Sequence, residues 1–220
     1  MLTIEKARRW YSEYDPVHGF DHVLRVLRLA TWLGEKLGAD QEILKAAALL
    51  HDASGAHPEG EEGRESHEYA SANFAREIIL MDGWEQDDIQ AVEHCILAHR
   101  YRGKVKPETI EAQILFDADK LDVIGAFGVS RTIGFSIQAG QPIYEEPSTQ
   151  FLETGNEIPG EPHSAYHEYL FKLAKVKERL YTTPAQDLAS SRFEVLKQFF
   201  DQLDLEARCA DAQDHTLSGD

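Results

Sequence analysis

Residues 43–52 of the chain read ILKAAALLHD, an almost entirely apolar run that ends in His51 and Asp52. A helix that is apolar on all sides is normally buried at the centre of a protein. A histidine and an aspartate at its end are costly to bury unless they are paired or bind a metal ion. Imidazole and carboxylate together suit divalent transition metals. The pair also fits a plain helix terminus, with Asp52 capping the next segment, and the two residues alone favour that plainer interpretation.

Outward from this run, apolar residues recur at helical spacing almost throughout the chain. The predicted helices run from Asp21 to Leu37, from the capping residue Asp40 to Leu50, from His67 to Met81, from Glu85 or Asp88 to His99, from Thr109 or Glu111 to Phe135, from Ser164 to Arg179, and from Thr183 or Pro184 to Leu205. No segment alternates apolar and polar residues as a strand does. We therefore expect an all-α fold, a helical bundle in one domain over residues 1–206. Residues 138–163 predict a long loop, and the tail 207–220 is expected to fray.

The charge of the chain restricts its partners. It has 39 acidic and 22 basic residues, a net charge of −17. A nucleic-acid-binding protein needs a basic stripe, so we expect no nucleic-acid partner. A small anionic substrate is compatible with this charge, because a bound cation and a few basic side chains reverse the field within one pocket. The two cysteines lie far apart and no long apolar run occurs, which predicts a cytoplasmic protein without a membrane partner.

Further histidines and acids flank the central run. His22 stands near the start of an amphipathic helix, and residues 114–122, ILFDADKLD, place acidic groups within an apolar helix. The succession of His22, His51-Asp52 and Asp119 resembles the HD-domain superfamily of metal-dependent phosphohydrolases.

The flanking residues carry the same resemblance. HVLRV at residues 22–26 and LLHD at residues 49–52 are similar to the first and second motifs of the superfamily, and the likeness spans residues 18–130. It implies a bundle of helices around a metal site.

The resemblance also implies a set of metal ligands. The primary ligands would be His22, His51, Asp52 and Asp119. Asp119 is chosen over Asp117 because family members carry this aspartate in Ala-Asp-x-Leu.

Two further histidines match, by position, those of family members that hold two metals. His67 and His99 would complete a second site bridged by Asp52. As alternatives, His67 would be a solvent-exposed residue at the start of a helix, and His99 a histidine at a helix C-terminus, where the helix dipole favours positive charge. We therefore expect one or two divalent ions, of Mn, Fe, Ni, Co or Zn, with Mg as an alternative.

Basic residues adjoin the expected ligands. Arg25 lies on the same helical face as His22, and Arg100 and Lys120 each follow an expected ligand. We expect these three, with His18, to contact a substrate phosphate, and Asp52, Arg25 and Lys120 to be catalytic. For each basic residue an ordinary surface ion pair is the alternative.

The expected reaction is attack of a metal-bound water on the phosphorus of a small, nucleotide-like phosphorylated substrate. Two other functions remain open at this point. One is a di-iron oxygenase, because the six-ligand arrangement also serves oxygen chemistry. The other is a ligand-binding HD module without catalysis. The oligomeric state is left open.

Overall fold

The structure, a computed structural model, describes residues 1–12, 19–53, 67–101 and 103–209. Its elements are α1 (Ile4–Arg8), α2 (Phe20–Leu37), α3 (Gln41–Leu50), α4 (His67–Met81), α5 (Gln86–Ala98), α6 (Ile110–Asp122), α7 (Gly125–Gln138), α8 (Thr149–Thr154), α9 (Ala165–Phe171), a 3-10 helix (Leu173–Arg179) and α10 (Thr183–Ala207). The described residues contain no strand, which confirms the all-α fold class. Residues 54–64 are polar and contain glycine, which predicts a loop; this segment lies outside the described part, as does the predicted tail from residue 210 onward.

The chain forms two compact units. Unit 1 comprises Met1–Asp122 and Leu180–Gln186, and unit 2 comprises Val123–Arg179 and Asp187–Asp220. The predicted metal ligands all belong to unit 1. The single domain over residues 1–206 stays a prediction. Among the helices described, none combines the length and the apolar character that crossing a bilayer requires.

Helix α3 is the centre of unit 1, where it packs against α1, α2, α4, α5 and α6. Its residues from Ala46 to Leu50 are at most 2% exposed, as the apolar sequence predicts. The Asp40 side chain accepts the backbone N–H groups of Glu42 and Ile43 at 2.9 and 3.1 Å, which caps the first turn. The cap fixes where α3 begins, and burial holds the helix at the centre of unit 1. Together they determine where His51 and Asp52 lie.

One predicted helix is divided in two. The apolar spacing predicts a helix continuing through Phe135, but the structure ends α6 at Asp122 and starts α7 at Gly125. Gly125 has a φ of +74°, which residues with a side chain rarely adopt. A Cβ on Gly128 would lie 2.3 Å from the carbonyl oxygen of Val123. Apolar periodicity continues across such a break, so the pattern alone could not reveal it.

Unit 2 departs from the prediction in two further places. The predicted loop 138–163 contains α8, capped by the Ser148 hydroxyl, which accepts the N–H of Phe151 at 3.1 Å. Phe151 is 3% exposed, so this short helix is anchored by one buried ring. The helix predicted from Ser164 to Arg179 is instead α9 followed by the 3-10 helix.

We expect Asp40→Ala to lower the free energy of unfolding by about 1 kcal/mol, because two backbone N–H groups lose their acceptor. Asp40→Asn is the matched control and should keep most of the stability, since asparagine caps as well as aspartate does. Urea denaturation followed by circular dichroism measures both. Equal midpoints for Asp40→Ala and wild type would contradict the assigned cap.

Candidate metal centre

Two histidines and two aspartates from three helices meet within unit 1. His22 lies in the first turn of α2, His51 and Asp52 directly follow α3, and Asp119 lies in the last turn of α6. The Nε2 atom of His22 is 3.4 Å from His51 Nε2, 3.4 Å from Asp119 Oδ1 and 3.9 Å from Asp52 Oδ2. None of the four is more than 7% exposed. The structure thus brings together the four residues that the resemblance implies as primary ligands.

A second group of potential ligands shares Asp52. The other carboxylate oxygen, Oδ1, lies 3.8 Å from His67 Nε2 and 3.6 Å from His99 Nε2. Asp52 therefore faces the first group with Oδ2 and the second group with Oδ1. His94 lies apart from both groups, because its Nε2 accepts the backbone N–H of Glu108 at 3.0 Å.

The donor atoms of both groups fit divalent cations. One ligand atom from each of His22, His51 and Asp52 lies within 4.8 Å of the others, and the same holds for Asp52, His67 and His99. Imidazole nitrogen with carboxylate oxygen is a mixed donor set typical of first-row transition metals. Carboxylates buried this close together are costly unless their charge is compensated, and a cation bound between them would compensate it.

Helix ends orient two of the histidines. His51 and His99 follow the last residues of α3 and α5, where carbonyl oxygens lack a helical partner. The Nδ1–H of His51 donates to the carbonyl of Ala48 at 2.9 Å, and that of His99 donates to Ile96 at 2.5 Å. Because a carbonyl only accepts, Nδ1 carries a proton in both rings, and Nε2 is the nitrogen that faces Asp52.

His22 and Arg25 share one acceptor, Asp122. The Nδ1–H of His22 donates to Asp122 Oδ2 at 2.7 Å. The Nε and Nη2 atoms of Arg25 donate to the two oxygens of Asp122 at 2.7 and 3.0 Å, and its Nη1 donates to Asp21 at 2.7 Å. The guanidinium predicted to hold phosphate is thus bonded to two carboxylates, and its contact with phosphate stays a prediction.

The two other basic residues predicted to contact substrate also pair with acids. The Lys120 ammonium forms an ion pair with Asp119 and lies 5.5 Å from the centre of the Phe116 ring. Arg100 Nη1 is 3.1 Å from the Oε2 atom of the buried Glu68. His18, the fourth predicted contact, lies outside the described residues.

Asp117 faces away from the cluster. Its carboxylate accepts the backbone N–H groups of Tyr181 and Thr182, both at 2.8 Å, and the Thr182 hydroxyl at 2.7 Å. Burial raises the pKa of Asp117 to about 6, although these hydrogen bonds act in the opposite direction. Of the two aspartates considered for the last ligand, Asp119 is the one that lies beside His22.

The cluster is strongly charged without a cation. Burial would raise the pKa of Asp52, but His51 and His99 lower it well below its usual range. Burial also acts against ionisation of Asp119, yet Lys120 and its histidine neighbours hold the pKa of this carboxyl well below the usual range. Burial lowers the pKa of His51, and Asp52 outweighs that effect and raises it to about 9. A metal ion that binds His51 must therefore displace a proton.

Sequence reasoning missed two carboxylates and a phenol at this centre. Asp122 holds His22, Glu68 holds Arg100, and the Tyr11 hydroxyl donates to the carbonyl of Leu49 at 2.9 Å. Asp122 had a visible signal, since it follows Asp119 by three residues in an apolar helix and so shares its face. Nothing in the sequence pairs Tyr11 with the end of α3.

Comparisons with known proteins agree with this geometry. The HD domain family model matches residues 19–124. Bacillus subtilis YpgQ is 30% identical over an alignment of 218 positions, which covers 95% of this chain and 96% of YpgQ. The crystal structure of YpgQ in complex with ADP matches with a TM-score of 0.70 and 27% identity, over 93% of this chain and 97% of that one.

Two further solved structures share the fold along most of their length. A Lactobacillus plantarum protein matches with a TM-score of 0.71 and 26% identity, over 95% of this chain and all of the other, 100%. An HD-superfamily hydrolase from Bacillus thuringiensis matches with a TM-score of 0.65 and 25% identity, over 93% and 96% of the two chains. The chain belongs to the HD-domain superfamily.

Proposed function

We propose that this protein is a metal-dependent phosphohydrolase that cleaves a phosphate ester of a small, nucleotide-like substrate. The observation that carries the proposal is the carboxylate of Asp52, buried between two groups of histidines with one oxygen facing each. The ADP bound in the YpgQ crystal structure supports a nucleotide-like ligand.

We propose two ions at this centre. The first would be held by His22, His51, Asp52 and Asp119, and the second by Asp52, His67 and His99. Divalent ions bound there supply Lewis acidity, which makes water a better nucleophile near neutral pH and neutralises charge on phosphoryl oxygens.

The protein's own groups would hold the ligands and the substrate. The bonds from His51 and His99 to main-chain carbonyls keep both imidazoles turned toward Asp52. Lys120 and Arg100 border the two groups and would compensate the negative charge that develops on the phosphate. Burial of the cluster limits the water that reaches the reacting atoms.

The shared carboxylate also favours a second candidate, a di-iron oxygenase, because such enzymes need two adjacent ions. Metal analysis of freshly purified protein separates the two functions when it is combined with substrate assays. Phosphatase and phosphodiesterase activity with Mn, Ni, Co, Mg or Fe would support the phosphohydrolase. A mixed-valent iron signal with substrate-dependent oxygen uptake, and no phosphate release, would support the oxygenase.

Replacing His51 or Asp52 by alanine should remove bound metal and hydrolysis together, because each variant lacks a ligand atom at the centre of the cluster. The matched control is His94→Ala, which removes a histidine outside both groups and should retain metal and activity. Elemental analysis and phosphate release measure the two quantities. Full metal content in His51→Ala would contradict the assigned site.

His67→Ala should lower the number of bound Mn²⁺ ions from two to one, because it removes a ligand from the second group only. His94→Ala should still bind two. Isothermal titration calorimetry of metal-free protein gives the stoichiometry. A wild-type protein that saturates with one ion would favour a mononuclear centre.

Lys120→Ala should keep its metal and lose at least about tenfold in kcat/KM, equivalent to ~1.4 kcal/mol of transition-state stabilisation. A residue that contacts phosphate without binding metal changes turnover or substrate affinity alone. Lys106→Ala, at an exposed lysine, serves as the control for a general change in charge. Unchanged kcat/KM in Lys120→Ala would show that Lys120 serves only to pair with Asp119.

A further inference from the structure

Asp122 is a buried acid that the expected ligand set does not use. It is 1% exposed, at the last residue of α6. Its carboxylate accepts His22 Nδ1–H at 2.7 Å and two donors of Arg25 at 2.7 and 3.0 Å. A buried carboxylate is costly unless it is paired and hydrogen-bonded. Here both oxygens are satisfied, by an imidazole and a guanidinium.

Helical spacing places these groups opposite one another. His22 and Arg25 are three residues apart on α2, and Asp119 and Asp122 are three residues apart on α6. Residues at this spacing share one helix face. Because α2 packs against α6, His22 faces Asp119 at 3.4 Å and Arg25 faces Asp122 at 2.7 Å.

The position of His22 in its helix explains why a side chain is needed there. His51 and His99 find acceptors for Nδ1–H in the unpaired carbonyls at the ends of their helices. His22 lies in the first turn of α2, where the groups without helical partners are N–H donors. An acceptor for its Nδ1–H has to come from another element, and Asp122 supplies it.

We propose that Asp122 is a positioning residue that keeps the proton of His22 on Nδ1 and its Nε2 lone pair directed at the first metal ion. Arg25 holds the Asp122 carboxylate in place and so acts through Asp122 on His22. This inference rests on the metal site of the proposed function, but it does not depend on the substrate. Carboxylates that accept the second N–H of a ligand histidine fix its orientation and raise its basicity.

The test is the affinity for Mn²⁺ of Asp122→Asn, measured by isothermal titration calorimetry on chelator-treated protein. The amide replaces one accepting oxygen by a donor, so either His22 or Arg25 loses its partner. We expect binding to the first site to weaken about ten- to a hundredfold. Wild-type affinity in a folded Asp122→Asn protein would overturn the proposal.

Asp117→Asn is the matched control, because Asp117 is likewise buried on the same helix and its carboxylate accepts hydrogen bonds from Tyr181 and Thr182, away from the cluster. It should lower the urea midpoint and leave Mn²⁺ affinity at the wild-type value. An equal loss of Mn²⁺ affinity in both variants would show that Asp122 acts through stability alone and would overturn the proposal.

Arg25→Met separates an indirect role from direct phosphate binding. If Arg25 acts through Asp122, this variant should bind Mn²⁺ more weakly than wild type in the absence of any substrate. Unchanged Mn²⁺ affinity with a raised KM would instead make Arg25 a phosphate contact and overturn its positioning role.

A measurement on the unmutated imidazole covers the case in which the variants do not fold. Long-range ¹H–¹⁵N spectra of the Zn²⁺-loaded wild-type protein report which nitrogen of His22 carries the proton, with the signal assigned by its loss in His22→Gln. We expect the proton on Nδ1. A proton on Nε2 would overturn the proposal. A protein that binds Mn²⁺ normally but cleaves no phosphate ester would refute the proposed function and leave the role of Asp122 standing.

Discussion

The burial of a carboxylate at the end of an apolar helix governs the arrangement of unit 1. Helix α3 is packed on all sides, so Asp52 leaves it among other helices rather than in water. A carboxylate there needs positive or hydrogen-bonding partners on each oxygen. Histidines from α2 and from the end of α3 face one oxygen, and His67 and His99 face the other. The helices around α3 are thus tied to one another through a single side chain.

The fold was largely predictable because its strongest signals are local. An apolar run and the cap at Asp40 each act within a few residues, and both occur where the sequence places them. The break between α6 and α7 was not predictable, because Gly125 and Gly128 permit a turn without interrupting the apolar spacing. An isolated glycine within a helical pattern is tolerated, so by itself it does not mark the end of a helix.

The cluster was predictable only in part. His22, His51, Asp52 and Asp119 are recognisable through their combination, and the structure brings them together. The partners of these groups were not recognisable. The contact between Asp122 and His22 depends on how α2 packs against α6. The spacing of residues within either helix does not encode that packing. Sequence reasoning placed Arg25 on the same face of α2 as His22, but it could not show that the guanidinium pairs with the carboxylate of Asp122.

The net negative charge of the chain affects how it can bind an anion. Lys120, Arg25 and Arg100 adjoin the cluster, and each is paired with a buried acid, respectively Asp119, Asp122 and Glu68. Acidic residues outnumber basic ones by 39 to 22, so basic side chains near the cluster readily find carboxylate partners within the protein itself. These ion pairs mainly stabilise the ionised form of the buried carboxylates. In the proposed phosphohydrolase, the attraction for a phosphate in the ground state would therefore come mainly from the proposed metal ions. Affinity for substrate should then follow the occupancy of the proposed metal sites, whereas Lys120 and Arg100 would act mainly on the charge that develops on the phosphate during the reaction.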